Sequence, residues 1–193
     1  MIKTTAMILN DLNKYASPAD KLSRMVQKGE YIPIVKGLYE TEKTTPGYLL
    51  AESIYGPSYL SFEFALSYYG LIPEAVYTFT SATFEKKKRK KYETAFGTFT
   101  YRDIPSQVYS YGVKIVEAGS YSYKIATVEK ALCDQLYKMQ PVANYRELQE
   151  LLFENLRVEK QELQKLDKDE LAQLSEKYGS TNVKKLGRFM RRI

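Results

Sequence analysis

An α+β fold is predicted for this 193-residue chain by three observations. The first 40 residues read as two short helices followed by a hairpin. The middle alternates β-prone runs with amphipathic helices, and residues 144 to 193 carry helical periodicity alone. With 44% apolar residues the chain can bury a core, and the pattern divides into a small unit, 1-45, and a larger one, 46-193.

Residues 2 to 15 predict a helix from the spacing of Ile8, Leu9 and Leu12. A second helix starts at Ser17-Pro18, with Ser17 as cap, Pro18 in the first helical position and Asp20 in the first turn. Leu22, Met25 and Val26 form its apolar stripe, and Gly29 terminates it. Two β-prone runs follow, Tyr31 to Val35 and Leu38 to Glu40, around a Lys36-Gly37 turn. Helix, helix and hairpin in this order are the minimum plan of a winged helix-turn-helix. Thr41 to Pro46 is the expected link.

In the larger unit, helices are predicted over 48 to 55 and from a Ser61 cap to Gly70. Strands are predicted over 76 to 84, 95 to 102, 112 to 117 and 121 to 125. Thr127 then caps a helix through Met139, with Glu129 in its first turn and Val128, Ala131, Leu132, Leu136 and Met139 inward. Two amphipathic helices over 144 to 178 and a basic one over 181 to 192 complete the mixed α/β domain with its C-terminal helical segment.

Composition narrows the chemistry. There is no histidine and a single cysteine, Cys133, which excludes serine-histidine and cysteine-histidine catalysis, HExxH sites and a structural zinc. Cys133 lies in an apolar helix, where a buried thiol is expected. No catalytic residue, metal or cofactor is expected. The chain contains no apolar run of membrane-spanning length and its start lacks a signal-peptide pattern, so a cytoplasmic protein without a membrane partner is expected.

The net charge of +6 is unevenly spread. Lys86, Lys87, Lys88, Arg89, Lys90 and Lys91 form an uninterrupted basic run. Lys184, Lys185 and Arg188 sit in an acid-free C-terminal stretch, while acids outnumber bases from 147 to 178. Both basic segments are candidate phosphate patches, the run being an exposed loop or hairpin between strands. On the second helix, Lys21, Ser23, Arg24, Gln27 and Lys28 occupy the side opposite the apolar stripe. Arginine and glutamine can pair with guanine and adenine edges while lysine and serine hold phosphates, so this face suits a duplex groove, with Lys36 at the wing tip beside it. The 18 tyrosines are read as strand and helix packing. Asp103, Glu117 and Lys124 on predicted strands allow a remote metal-dependent nuclease reading, and no Walker-type phosphate cradle is present.

The stretch Leu22-Ser23-Arg24-Met25-Val26-Gln27-Lys28-Gly29-Glu30-Tyr31-Ile32-Pro33-Ile34-Val35-Lys36-Gly37-Leu38-Tyr39 resembles the helix-and-wing signature of AbiEi-type antitoxins, the regulators of type IV toxin-antitoxin operons in abortive infection and phage defence. Tyr59-Leu60-Ser61-Phe62-Glu63-Phe64-Ala65-Leu66, Gly70-Leu71-Ile72-Pro73-Glu74, Phe79-Thr80-Ser81-Ala82-Thr83 and Ile125-Ala126-Thr127-Val128-Glu129-Lys130-Ala131-Leu132-Cys133-Asp134 resemble that family's second domain in the same order. The resemblance spans about residues 17 to 139. It implies a non-enzymatic autorepressor that binds double-stranded promoter DNA through Lys21, Arg24, Gln27, Lys28 and Lys36. It also implies antagonism of a nucleotidyltransferase-like toxin without a stable complex. The start departs from the pattern, since fewer residues precede the reading helix than a three-helix winged domain has. The alternative is a stand-alone transcriptional regulator or abortive-infection component with the same architecture and no toxin.

Overall fold

The computed structural model describes residues 1–192 and is an α+β protein built on two sheets. The small sheet belongs to the first 40 residues: β1 (Lys3–Thr4), α1 (Thr5–Asp11), α2 (Pro18–Gln27), β2 (Ile32–Val35) and β3 (Leu38–Glu40), with strand order β1-β3-β2, antiparallel throughout. The predicted first helix is shorter than its apolar spacing suggested. Lys3 and Thr4 pair with Tyr39 and Leu38, and the Thr4 hydroxyl caps the Met7 amide at 3.3 Å, so the helix cannot begin before Thr5. Ile8, Leu12, Leu22 and Tyr31 form a separate small core, flanked by Leu9, Met25, Val26 and Tyr39. At the hairpin turn Gly37 has φ +84°, a conformation that a side chain would strain.

The larger unit runs from a 3-10 turn (Gly47–Leu50) through α3 (Ala51–Ile54), β4 (Tyr59–Leu60), α4 (Phe62–Tyr68), β5 (Thr78–Thr83), β6 (Lys90–Thr94) and β7 (Gly97–Asp103). It continues through β8 (Val113–Ala118), β9 (Tyr121–Ala126), α5 (Val128–Lys138), α6 (Tyr145–Glu150), a π-helical turn (Leu151–Asn155), α7 (Lys160–Gln164), α8 (Lys168–Lys177) and α9 (Thr181–Met190). Its mixed sheet has order β6-β7-β5-β4-β9-β8. Antiparallel hairpins β6–β7 and β8–β9 form the edges, while β5 with β7 and β4 with β9 run parallel inside. The segment 144 to 178, predicted as two helices, is divided among α6, the π-helical turn, α7 and α8.

Helix α5 is the hub. Residues 129 to 136 are all buried, so its polar members must find partners inside the protein. The Thr127 hydroxyl caps the Lys130 amide at 3.1 Å, as predicted, and Glu129 accepts from the Asp167 amide at 2.8 Å. Lys130 and Asp134, one turn apart and both fully buried, form an ion pair at 3.1 Å. The Asp134 carboxylate also accepts from Tyr59 at 2.9 Å, from Ser61 at 2.7 Å and from Tyr178, which in turn receives a hydrogen bond from the Lys130 ammonium. This network bolts α5 to β4 and to the end of α8. Ser61, predicted as the cap of α4, turns its hydroxyl to Asp134 instead. Cys133 is buried as expected, and burial pushes its thiol far up.

The two units share a seam. Ile34 of β2 is 4% exposed within the larger core, Val35 and Leu38 pack on it, and β2 lies against the edge strand β6. No described helix is long and apolar enough to cross a membrane.

Candidate nucleic-acid interface

The apolar spacing of α2 determines which of its sides is exposed. Leu22 is buried and Met25 and Val26 are half-buried against the small core, which leaves Ser23, Arg24, Gln27 and Lys28 exposed. Lys21 is half-buried, its ammonium 5.1 Å from the Tyr15 ring centre. Ser17, predicted as cap, donates to the Asp20 carboxylate at 2.7 Å and makes no capping bond. Arg24 donates from Nε to the Asp20 carbonyl at 3.3 Å, an anchor that leaves the far end of the guanidinium pointing away from that bond. Ser23 donates its proton to the Ala19 carbonyl at 3.1 Å, so a phosphate contact from Ser23 requires that bond to break. Lys36 is exposed at the β2–β3 turn, next to Gly37.

The basic run is only partly a loop. Lys90 and Lys91 belong to β6, a strand absent from the sequence reading because lysines are poor strand formers. Lys87 stands at φ +54° and its amide donates to the Asp103 carboxylate, which fixes the loop before β6. Lys91 pairs with Glu93 at 2.6 Å and Lys86 lies 5.2 Å above the Tyr55 ring. Lys87, Lys88, Arg89 and Lys90 are exposed and have no carboxylate partner within ion-pair distance among the described residues.

On α9, Val183, Leu186, Phe189 and Met190 are buried, and the helix packs on α8, α6 and α5. Lys184 and Arg188 are exposed. Lys185 is half-buried and its ammonium donates to the Val142 carbonyl, so it ties α9 to the segment after α5. The sequence reading grouped it with the phosphate ligands; in the structure one of its donors is spent on the Val142 carbonyl.

The nuclease constellation is not assembled. Asp103 lies on β7 and Glu117 on β8, four strand steps apart in the order β7-β5-β4-β9-β8, or about 19 Å at about 4.8 Å per step. Asp103 is engaged by the Thr83 hydroxyl and the Lys87 amide, and Lys124 pairs with Glu52 at 2.7 Å. Among the described residues, no three carboxylates or thiols are grouped to hold a cation.

Between the units, Glu40 is fully buried and its carboxylate accepts from the Tyr121 hydroxyl at 2.6 Å, from the Thr41 amide at 2.8 Å, from the Glu42 amide at 3.2 Å and from the Met1 ammonium. Burial alone would raise its pKa, but these donors outweigh burial and hold the carboxyl below its usual 4.5. No sequence motif pointed to Glu40. Its position at a strand end, preceding a polar link, was the only signal.

Comparison with known protein families finds no matching family, and comparison with curated proteins finds no matching relative.

Proposed function

We propose that residues 1 to 45 are a winged helix-turn-helix that binds double-stranded promoter DNA and that the chain is an antitoxin of the AbiEi type. In this reading it represses its own operon from the cytoplasm and opposes a nucleotidyltransferase-like toxin without holding it in a stable complex. One observation carries the DNA part: Arg24 and Gln27 are exposed on the second of two packed helices, and a three-stranded sheet braces that pair from behind. The face has the donors that read guanine and adenine edges, and Lys28 and Lys36, both exposed, are the cations this reading assigns to the flanking phosphates. The antitoxin part is supported by the ordered motifs from Tyr59 to Asp134 alone.

The test is a comparison of two duplexes, the promoter of the chain's own operon and a scrambled one of equal length. Arg24→Ala weakens promoter binding by about 1–3 kcal/mol and leaves scrambled binding nearly unchanged. Equal losses on both duplexes would remove base readout from α2. The adjacent reading frame separates an antitoxin from a stand-alone regulator: its product must arrest growth only when this chain is missing. A neighbour harmless under both conditions favours the stand-alone reading.

A further inference from the structure

The two edges of the larger sheet are guarded differently. Edge strand β6 carries Lys90 and Lys91 and has β2 lying against it. Edge strand β8, Val113-Lys114-Ile115-Val116-Glu117-Ala118, has a single lysine, no proline and a continuous register with β9, and no described strand pairs with its outer side. Ile115, in its middle, is 69% exposed, and Tyr111, shortly before it, is 44% exposed. An open edge with an apolar residue at its centre is a template for a further strand.

The backbone selects which strand that is. The β8–β9 hairpin turns through Gly119 and Ser120, with Ala118 paired to Tyr121. In a two-residue hairpin the closing pair is hydrogen-bonded, and bonded and non-bonded pairs alternate away from the turn. Ala118, Val116 and Lys114 therefore bond inward to β9, and the amides and carbonyls of Val113, Ile115 and Glu117 point out over the edge. Among the described residues these three make no backbone bond elsewhere. A twofold axis perpendicular to the sheet at Ile115 sets Ile115 against itself and Val113 against Glu117 of a second copy, so every outward residue gains a partner with which it exchanges both bonds. Moving the axis to Val116 would set Val113 against Gly119 in the turn.

The charges fit the same register. Glu117 and Lys177 of α8 are both exposed, and neither has an ion-pair partner among the described residues. The Lys177 ammonium stands 4.3 Å from the centre of the Tyr111 ring. Glu170, which shares a cleft of about 210 Å³ with Tyr111 and Lys177, accepts from the Thr127 hydroxyl at 2.7 Å. Glu117 of a second copy arrives opposite Val113, two residues from Tyr111 and the lysine above it, and symmetry makes this contact twice. Lys114 comes to face Val116, so no like charges stand directly opposite.

We propose that β8 is the interface for a second copy of this chain: two β8 strands pair antiparallel about a twofold axis at Ile115, with Glu117 of each copy reaching Lys177 of the other. The dimer goes beyond the DNA-binding reading and does not rest on it. A contact built on one strand from each copy is small beside a standard interface, so the dimer dissociates on dilution.

The test is sedimentation velocity of the full chain over a concentration series without DNA. The wild type shifts toward twice the mass of the chain as concentration rises. Ile115→Lys sets two lysines against each other at the axis and raises the dissociation constant at least about tenfold. Ile115→Pro removes an outward amide and no bond to β9, so it abolishes the dimer while thermal melting still shows a folded chain. Glu117→Lys and Lys177→Glu each weaken the dimer, and the double variant restores it. Opposed residues of a bonded pair lie about 5.5 Å apart, within disulfide reach, so Ile115→Cys cross-links with diamide, whereas Glu117→Cys, displaced from its own copy along the strand, does not. A monomer at every concentration overturns the proposal. So does a dimer that both Ile115 variants leave intact, which assigns self-association to another surface, or cross-linking through Glu117→Cys in place of Ile115→Cys.

Discussion

The Tyr121 hydroxyl donates a 2.6 Å hydrogen bond to Glu40, a residue 81 positions earlier, and so ties the start of β9 to the last strand of the N-terminal unit. Glu40 is fully buried and charged, so each of its donors offsets part of a large desolvation cost. Tyr121→Phe leaves an acceptor underprovided and destabilises the chain by about 1.5–3 kcal/mol, the range for hydrogen bonds to charged groups. Urea unfolding followed by both far-ultraviolet dichroism and tyrosine fluorescence checks this. A shift below about 0.5 kcal/mol would mean that the seam holds without the bond.

The buried pair Lys130 and Asp134 makes a second prediction. Lys130→Met leaves Asp134 charged and underpaired in the core, a loss of about 3–5 kcal/mol. The double variant Lys130→Met, Asp134→Leu removes both charges and recovers much of that loss, because neither ion then needs solvation. Equal stability of the single and double variants would show that Tyr59, Ser61 and Tyr178 satisfy Asp134 without the lysine.

Stability against pH follows from the phenols. Tyr59 and Tyr178 are held well above the usual 10.0 by burial and then by the Asp134 charge, and Tyr121 is pushed up to about 12 by burial and then by its bond to Glu40. Above pH 10 the unfolded chain releases phenolic protons that the native state retains. The stability that is complete below 10 is therefore lost as pH climbs toward 12. Lys130, lowered below 10.5 by burial, works in the opposite direction, but it is one group against several. Denaturation midpoints fall between pH 10 and 12, less steeply in Tyr121→Phe; a flat or rising curve would contradict this. At the acid end, Glu40 contributes stability above pH 4.5 that is lost as pH drops through its lower native value.

Helices α8 and α9 meet at a contact that admits no side chain. A Cβ on Gly187 would stand 2.6 Å from Ser175 Oγ and 2.7 Å from its Cβ. Gly187→Ala therefore overpacks and costs about 1–3 kcal/mol despite the better helix propensity of alanine. Ser175→Gly in the same chain restores the space, and a melting temperature that does not recover would mean the clash lies elsewhere.

Within the basic run the structure predicts unequal contributions to polyanion binding. Lys91 is paired with Glu93 and Lys88 has no carboxylate within reach among the described residues. Lys88→Gln lowers the salt slope for duplex binding by about one, and Lys91→Gln lowers it by less, because its charge is already partly neutralised. Identical slopes for the two variants would indicate that the Lys91–Glu93 pair opens on binding.

Local signals carried well where one segment decided its own structure. The Leu22, Met25 and Val26 stripe located α2 and its exposed face, the Thr127 cap located the start of α5, and the β-branched and aromatic runs located β5, β7, β8 and β9. Strands β1 and β4, two residues each, left no periodic trace because they exist only through pairing with Tyr39, Leu38, Ala82 and Ser81. Ser17 and Ser61 carried a true cap signal, but Asp20 and Asp134 offered their hydroxyls stronger acceptors. Arg102 and Lys138 had no motif around them. Only the shared Glu63, which joins Arg102 to Gln135 three residues before Lys138, relates the two.

By itself the sequence determined the α+β class, the order of most elements, the burial of Cys133 and the side of α2 that faces out. These depend on hydrophobic periodicity within a dozen neighbouring residues, which the chain carries locally. Tertiary structure alone decided that Asp103 and Glu117 lie on distant strands, that Lys185 is tied to a carbonyl, that Glu40 meets Tyr121 and that Glu63 joins Arg102 to Gln135. Those outcomes depend on strand order and helix docking, where residues far apart in the chain compete for the same partners and the free energy of the whole packing selects the winner.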